Sequence, residues 1–411
     1  FFNALQVRVT NMLQKKGEII RMNFKKFLQL KVPTIFKVLQ FIWRKIQPTC
    51  YYLFYRMTVD CDFTSFFNNL SESQRSKLPN DFSLIVKAYL ESSSYQKTSM
   101  MWRQINIDHV NQLISFGIDN FKQTVGENYF LFRSLKRIHD LVTQKQNYSL
   151  NVELSEIFKK HDLLNIHDSI QVNLITSFLA NHHLNNGEEI TVEEPIIGNP
   201  PYILINGKRV TSDLMCSLYD YSVLKRFIPL ESINSVLEIG AGYGRTSCVI
   251  LQHLPNVKYL ICDIPPALYL SKNYLEQCFP EKKSVFIPSG LEREEVKKII
   301  EQNDLIFFLP DLLSEIDSVD LFLAIDCLHE MPLETIDTYM TEAERITNYF
   351  YFYVHRTTHI PQDNIYLSAP EDYLKERTWH PLLQENRLFP DYFFHGLYQV
   401  NRARKVEQGV V

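Results

Sequence analysis

The chain has 411 residues, of which 45% are hydrophobic and 22% charged, and a formal net charge of −4. That length and balance suit one large or two ordinary globular domains and exclude a disordered, collagen-like or disulfide-built scaffold. The seven cysteines (50, 61, 216, 248, 262, 278, 327) show no C-x-x-C and no paired metal spacing. Several sit in apolar runs, which predicts buried thiols in a reducing, cytoplasmic compartment, with no disulfide and no structural zinc.

Charge is uneven along the chain. Residues 1–56 hold eleven Lys/Arg against the single acid Glu18, a local +10, so residues 57–411 carry −14. Phe24, Phe27, Leu28, Ile35, Leu39, Ile42, Trp43 and Ile46 recur near helical spacing among the bases, with Pro33 dividing two helices. Such a basic amphipathic extension reads either as a peripheral contact to an anionic membrane or as a segment packed on its own domain or on a second copy. No apolar run reaches the roughly 18 residues of a transmembrane helix. No small-residue cleavage site follows an uncharged core, so a secretory signal is not expected. The chain opens on Phe1 rather than Met, which leaves its true start open. The acidic body offers no basic stripe, so nucleic acid is not an expected partner.

Residues 57–195 read as a helical domain, with apolar residues at helical spacing near 81–92, 102–116, 129–145 and 167–183. Pro195, Gly198, Pro200 and Pro201 punctuate a boundary before the remaining domain, 196–411. There YILINGKRV reads as a hairpin turning at Asn206-Gly207, followed by a helix at about 213–227. Strands are then predicted at Ser235–Ile239, Tyr259–Asp263, Ile306–Leu309, Asp320–Ile325 and Tyr349–Val354, with Ser284–Ile287 an extra edge strand and Tyr392–Tyr398 the last. The expected fold is α/β, a Rossmann-like sheet preceded by a mainly helical region.

Residues 236–245 read VLEIGAGYGR, and Asp263 ends the next apolar run in YLICDIPP. A strand, an acid and glycines at 240, 242 and 244 describe a sharp turn into a helix, where backbone can approach a ligand closely. The dinucleotide pattern G-x-G-x-x-G fails, because Arg245 stands at its third position, and no Gly-Lys-Ser/Thr follows to make a P-loop. The pattern resembles motif I of the class I S-adenosylmethionine (SAM) methyltransferases. That resemblance implies a SAM site formed by Glu238, Gly240, Gly242, Gly244, Asp263 and Ile264, with Asp263 on the ribose. It also places Asp311, after the strand Ile306–Leu309, near the adenine.

Downstream, DLFLAID (320–326) runs into Cys327-Leu328-His329-Glu330-Met331-Pro332. His329 is thus expected at the carboxyl end of a strand, where its ordinary pKa near 6.5 suits proton abstraction. The neighbouring Glu330 is expected to orient it. These segments, with CDIPPALYLSKNYL, FFLPDLLSEI, GNPPYILINGKRVTSDL and HGLYQV, resemble the bacterial sugar O-methyltransferases from about Ser99 to Tyr398. The His-Glu-Met segment is also similar to the His-Asp-Trp segment of plant caffeate-type O-methyltransferases, whose histidine is the catalytic base. The departure at Met331 bears on whether the acceptor is aromatic.

The resemblance implies SAM-dependent methyl transfer to a hydroxyl of a sugar or glycan intermediate in polysaccharide biosynthesis, with His329 as base. Two alternatives stay open: a phenolic or other small hydroxylated acceptor, and a SAM-binding protein without turnover. Asp326 and Glu330 are two candidate oxygen ligands, too few for a metal site, so a divalent metal stays undecided. Trp379, His380 and Arg356 lie in the right region for sugar contacts but read more simply as structural residues. The sequence leaves the oligomeric state open.

Overall fold

The computed structural model describes residues 62–123, 192–200, 202–360, 363–388 and 393–400. The basic extension 1–56 and the helices expected at 129–145 and 167–183 lie outside the described residues. The described residues all fall in one compact unit.

Five helices open this unit: α1 (Phe63–Asn68), α2 (Glu72–Arg75), α3 (Asn80–Glu91), α4 (Ser93–Lys97) and α5 (Met100–Phe116). Local chemistry sets their starts. The Asp62 side chain accepts from Thr64 N, Ser71 and Gln74 form a reciprocal capping box, and Ser99 accepts from Trp102 N. Gly117, at φ +75°, ends α5. The hairpin β1 (Ile203–Ile205) and β2 (Lys208–Val210) turns on Asn206 and Gly207, both at positive φ as a type I′ turn requires. Helix α6 (Ser212–Phe227) follows, capped by the Thr211 hydroxyl.

Eight strands then build the central sheet: β3 (Ser235–Ile239), β4 (Lys258–Cys262), β5 (Ser284–Ile287), β6 (Leu305–Phe308), β7 (Val319–Ile325), β8 (Thr347–His355), β11 (His380–Asn386) and β12 (Phe393–Gln399). Their order is β5-β6-β4-β3-β7-β8-β12-β11. The first six are mutually parallel, β12 is antiparallel to β8, and β11 antiparallel to β12. A separate hairpin joins β9 (Thr357–Ile360) and β10 (Ile365–Ser368). This is a Rossmann-like mixed sheet, as expected, with Ser284–Ile287 at its edge. Strand β11 and the β9–β10 hairpin were not anticipated: HPLLQEN alternates poorly and remains largely exposed, so it lacks the apolar run that marks the inner strands.

Strand residues two apart face the same layer, and both layers are apolar, which explains why the inner strands read as unbroken hydrophobic runs. Val236, Tyr259, Ile261, Leu321 and Leu323 pack toward the opening helices, α6, α7 (Arg245–His253) and α8 (Ala267–Cys278). Leu237, Ile239, Leu260, Phe322 and Ala324 pack toward α9 (Arg293–Gln302) and α10 (Leu333–Ile346). The short helix α11 (Glu371–Leu374) sits by β10. Of the described cysteines, Cys216, Cys248, Cys262 and Cys327 are buried and Cys278 is half-buried. Among the described residues no helix is long and apolar enough to cross a membrane.

Candidate active site

A cleft opens at the carboxyl ends of β3, β4 and β7, where ligands bind in open parallel sheets. Its lining includes Glu238, Gly240, Gly242, Asp263, Ile264, Asp311, Asp326 and Glu330. Gly244 and His329, also expected at the site, are not among its lining residues.

The glycine turn is shaped by contacts that a side chain would break. Gly240 sits at φ +62°, and a Cβ built on it would lie 2.6 Å from the Cβ of Cys327. Its amide donates to the Cys262 carbonyl at 3.0 Å. Gly242, also at φ +62°, donates its amide to Asp263 Oδ2 at 3.0 Å, and the Ile264 amide donates to Oδ1 at 2.7 Å. Burial pushes the Asp263 carboxyl up to about 7, against these two amides, which favour its charged form. Each oxygen keeps a lone pair beyond its backbone bond, enough to receive a diol. Gly244 caps α7 from the left-handed region and packs near Leu275, a structural role beside the cleft.

Glu238 is buried at the cleft floor. Its Oε2 accepts from the Ser247 hydroxyl at 2.6 Å and from the Tyr259 hydroxyl at 2.7 Å, and burial pushes its carboxyl up to about 7. At the far wall the Asp311 amide donates to Ser94 Oγ at 3.0 Å, and that hydroxyl donates back to Asp311 Oδ1 at 3.1 Å. Helix α4 is thereby fastened to the loop after β6.

The turn after β7 carries the other expected residues. Asp326 adopts φ +56°, uncommon for a residue with a side chain, and its amide donates to the Tyr353 carbonyl. A single 3-10 turn, Leu328–Glu330, follows. It sends consecutive side chains to different sides: Glu330 toward the cleft, His329 into the protein. Trp102 of α5 lines the cleft with Glu330, and burial pushes that carboxyl up to about 7, against Trp102, which favours its charged form. His329 is 6% exposed, its ring centroid 4.1 Å from that of His355 and 6.2 Å from that of Phe393. Its Nε2 lies 3.6 Å from Asp326 Oδ1, while Nδ1 has no hydrogen-bond partner. Burial, then the neighbouring His355, hold its imidazolium well below the ordinary range, so the ring is neutral near pH 7. The acid beside His329 is therefore Asp326, and the adjacent Glu330 reaches the cleft instead.

Trp379 is a core residue: its ring lies 5.2 Å from Phe350 and its Nε1 donates to Glu344 Oε1 at 3.1 Å. His380 and Arg356 are exposed and outside the cleft lining. Sequence reasoning missed the contribution of the opening helices, since Ser93, Ser94, Thr98, Trp102 and Ile105 all line the cleft. The cluster SSSYQKTSMMW was the available signal: small hydroxyl residues and an indole gathered at a helix start.

No protein-family model and no curated protein matches the chain. Among solved structures it is similar to the mitomycin 7-O-methyltransferase, at 10% identity over 46% of this chain and 57% of that one, with a TM-score of 0.30. It is also similar to a SAM-dependent methyltransferase from Aquifex aeolicus, at 17% identity over 44% of this chain and 89% of that one, TM-score 0.28. A third similarity is to the methyltransferase domain of bacterial CtHen1, at 11% identity over 45% of this chain and 97% of that one, TM-score 0.32.

Proposed function

We propose that the chain is a SAM-dependent O-methyltransferase acting on a hydroxyl of a sugar or glycan intermediate. The observation that carries this reading is one cleft joining a glycine turn, the acid Asp263 beyond the next strand and the half-buried Glu330 after β7. The residues present fit SAM: Gly240 and Gly242 line the cleft with backbone alone, and Asp263 offers spare lone pairs to a ribose diol. Glu238 and Ile264 complete the floor, and Asp311 borders the end fitting adenine. SAM supplies an electrophilic methyl carbon when bound.

The chain's own work is then to place an acceptor oxygen in line and to take its proton. Positioning of that kind contributes on the order of 7–11 kcal/mol. His329 is the base expected from the sequence and Glu330 the residue expected to orient it, but Glu330 lines the cleft and His329 does not, so Glu330 is the better supported proton acceptor. His329 acts as base only if the turn after β7 rearranges to bring its ring into the cleft. A sugar hydroxyl is a very weak acid, so its proton leaves as the oxygen attacks rather than before. The sugar class rests on the resemblance of the DIPP and LHEM segments.

The deciding experiment supplies purified protein with methyl-labelled SAM and a panel of nucleotide-sugars, glycan intermediates and phenols, and reads product mass. A labelled sugar supports the reading; labelled phenols alone, or SAM binding without transfer to any acceptor, overturn it. We further read residues 1–56 as a peripheral contact to anionic membrane. Liposome association that requires anionic lipid and fades with salt supports that; a truncated chain that aggregates supports a packed extension or a homo-oligomer contact.

A further inference from the structure

Asp326, His329 and His355 stand together at the carboxyl ends of two adjacent parallel strands. Asp326 and His329 lie in the turn that follows β7, and His355 is the last residue of β8. One ligand atom from each lies within 4.8 Å of the others. We propose that these three side chains form a site for a divalent transition-metal ion, at the acceptor end of the cleft.

Three further observations bear on this. First, Asp326 Oδ1, the atom that faces His329 Nε2, is buried without a hydrogen-bond partner, an arrangement that is costly unless something meets it. Second, the Asp326 backbone is held in the left-handed region, and such departures persist where the surroundings enforce them, often at ligand sites. Third, the donor set is two imidazoles and one carboxylate, which suits ions of the zinc, cobalt, manganese and iron class rather than magnesium or calcium.

The spacing requires only a modest contraction. Ligands sharing one ion at bonds of about 2.0–2.2 Å stand roughly 3–3.5 Å apart, and Asp326 Oδ1 is already 3.6 Å from His329 Nε2. Asp326 also lines the cleft, so an ion held by it borders the place where an acceptor would lie. Three protein ligands leave coordination positions for one or two hydroxyls, the chemistry of a vicinal diol. That purpose rests on the methyl-transfer reading, whereas metal binding itself does not. Glu330 remains the proton acceptor, and His329 gains the role of an ion ligand.

The test uses the tag-free full chain, stripped with chelator, desalted and titrated with Co²⁺ by calorimetry and visible absorption. One ion per chain with cobalt d–d bands is expected, weakened at least tenfold in Asp326→Asn, His329→Ala and His355→Ala. His380→Ala, which changes an exposed histidine outside the cluster, should bind as the parent does. SAM affinity measured on each sample reports whether the fold survives. If the parent chain binds SAM but takes up no Co²⁺, the metal site is refuted while the methyl-transfer reading stands. If the cluster variants retain the bands, or His380→Ala loses them, the site is equally refuted. Co²⁺ uptake without SAM binding keeps the metal site and removes the proposed function.

Discussion

The Gly242 amide and the Asp263 carboxylate meet at 3.0 Å, so the glycine turn and the acid of the next strand are already joined before any ligand arrives. Gly242→Val places a branched side chain in the left-handed region and at the cleft wall, and should abolish SAM binding while the fold persists. Asp263→Ala frees the Gly242 and Ile264 amides as well as the ribose contact, and should weaken SAM by about 1–3 kcal/mol. Calorimetry with SAM and with NAD checks both. Tight NAD binding in the absence of SAM binding would overturn the cofactor assignment.

Glu330→Gln keeps the size and polarity of the side chain, and an acceptor for Trp102, but cannot take a proton. It should lower kcat by about 10²–10⁴-fold and leave SAM affinity within a small factor. Full turnover in Glu330→Gln, paired with loss in His329→Ala, would return the base to His329.

Removing the indole donor while keeping an aromatic ring tests the support of that acid. Trp102→Phe should raise acceptor KM and lower kcat by about tenfold, on the order of 1–2 kcal/mol for a hydrogen bond to a charged group. SAM affinity should be unchanged. A variant that loses SAM affinity as much as acceptor affinity would place Trp102 on the cofactor instead.

Glu238 gives the fold a pH dependence. Its carboxyl titrates at about 7 when folded, against the ordinary value of 4.5, so the folded state holds its proton longer than the unfolded chain. Stability from this group is fully present below about pH 4.5 and is lost as pH rises through 7. Glu238→Gln keeps an acceptor for Ser247 and Tyr259, and should make Tm fall less between pH 5 and 8, by a few degrees. Parallel Tm–pH curves for parent and variant would show that Glu238 is not the source.

The parallel strands were legible because two-sided burial writes each as an apolar run, and the glycine turn because positive φ at three alternate positions demands glycine. Asp263 was legible by its place at a strand end. The directions of His329 and Glu330 were not. They follow from a single 3-10 turn whose geometry depends on the backbone of Asp326, and no periodicity encodes that. His355 was hidden in the run TNYFYFYVH, where it reads as the polar end of a strand. The share of α4 and α5 in the cleft was hidden because Ser94 and Asp311 are 217 residues apart, and only the fold brings them together.

The hydrogen bonds between Ser94 and Asp311 mean that the cleft has two owners. The glycine turn, Asp263 and Glu238 come from the sheet and make the half proposed for the cofactor. Ser94, Thr98 and Trp102 come from helices that precede the sheet in the chain. On the proposed reading, changes at Thr98, Trp102 and Ile105 would reshape the acceptor side alone, whereas a change at Ser94 would also reach Asp311 at the end proposed for adenine.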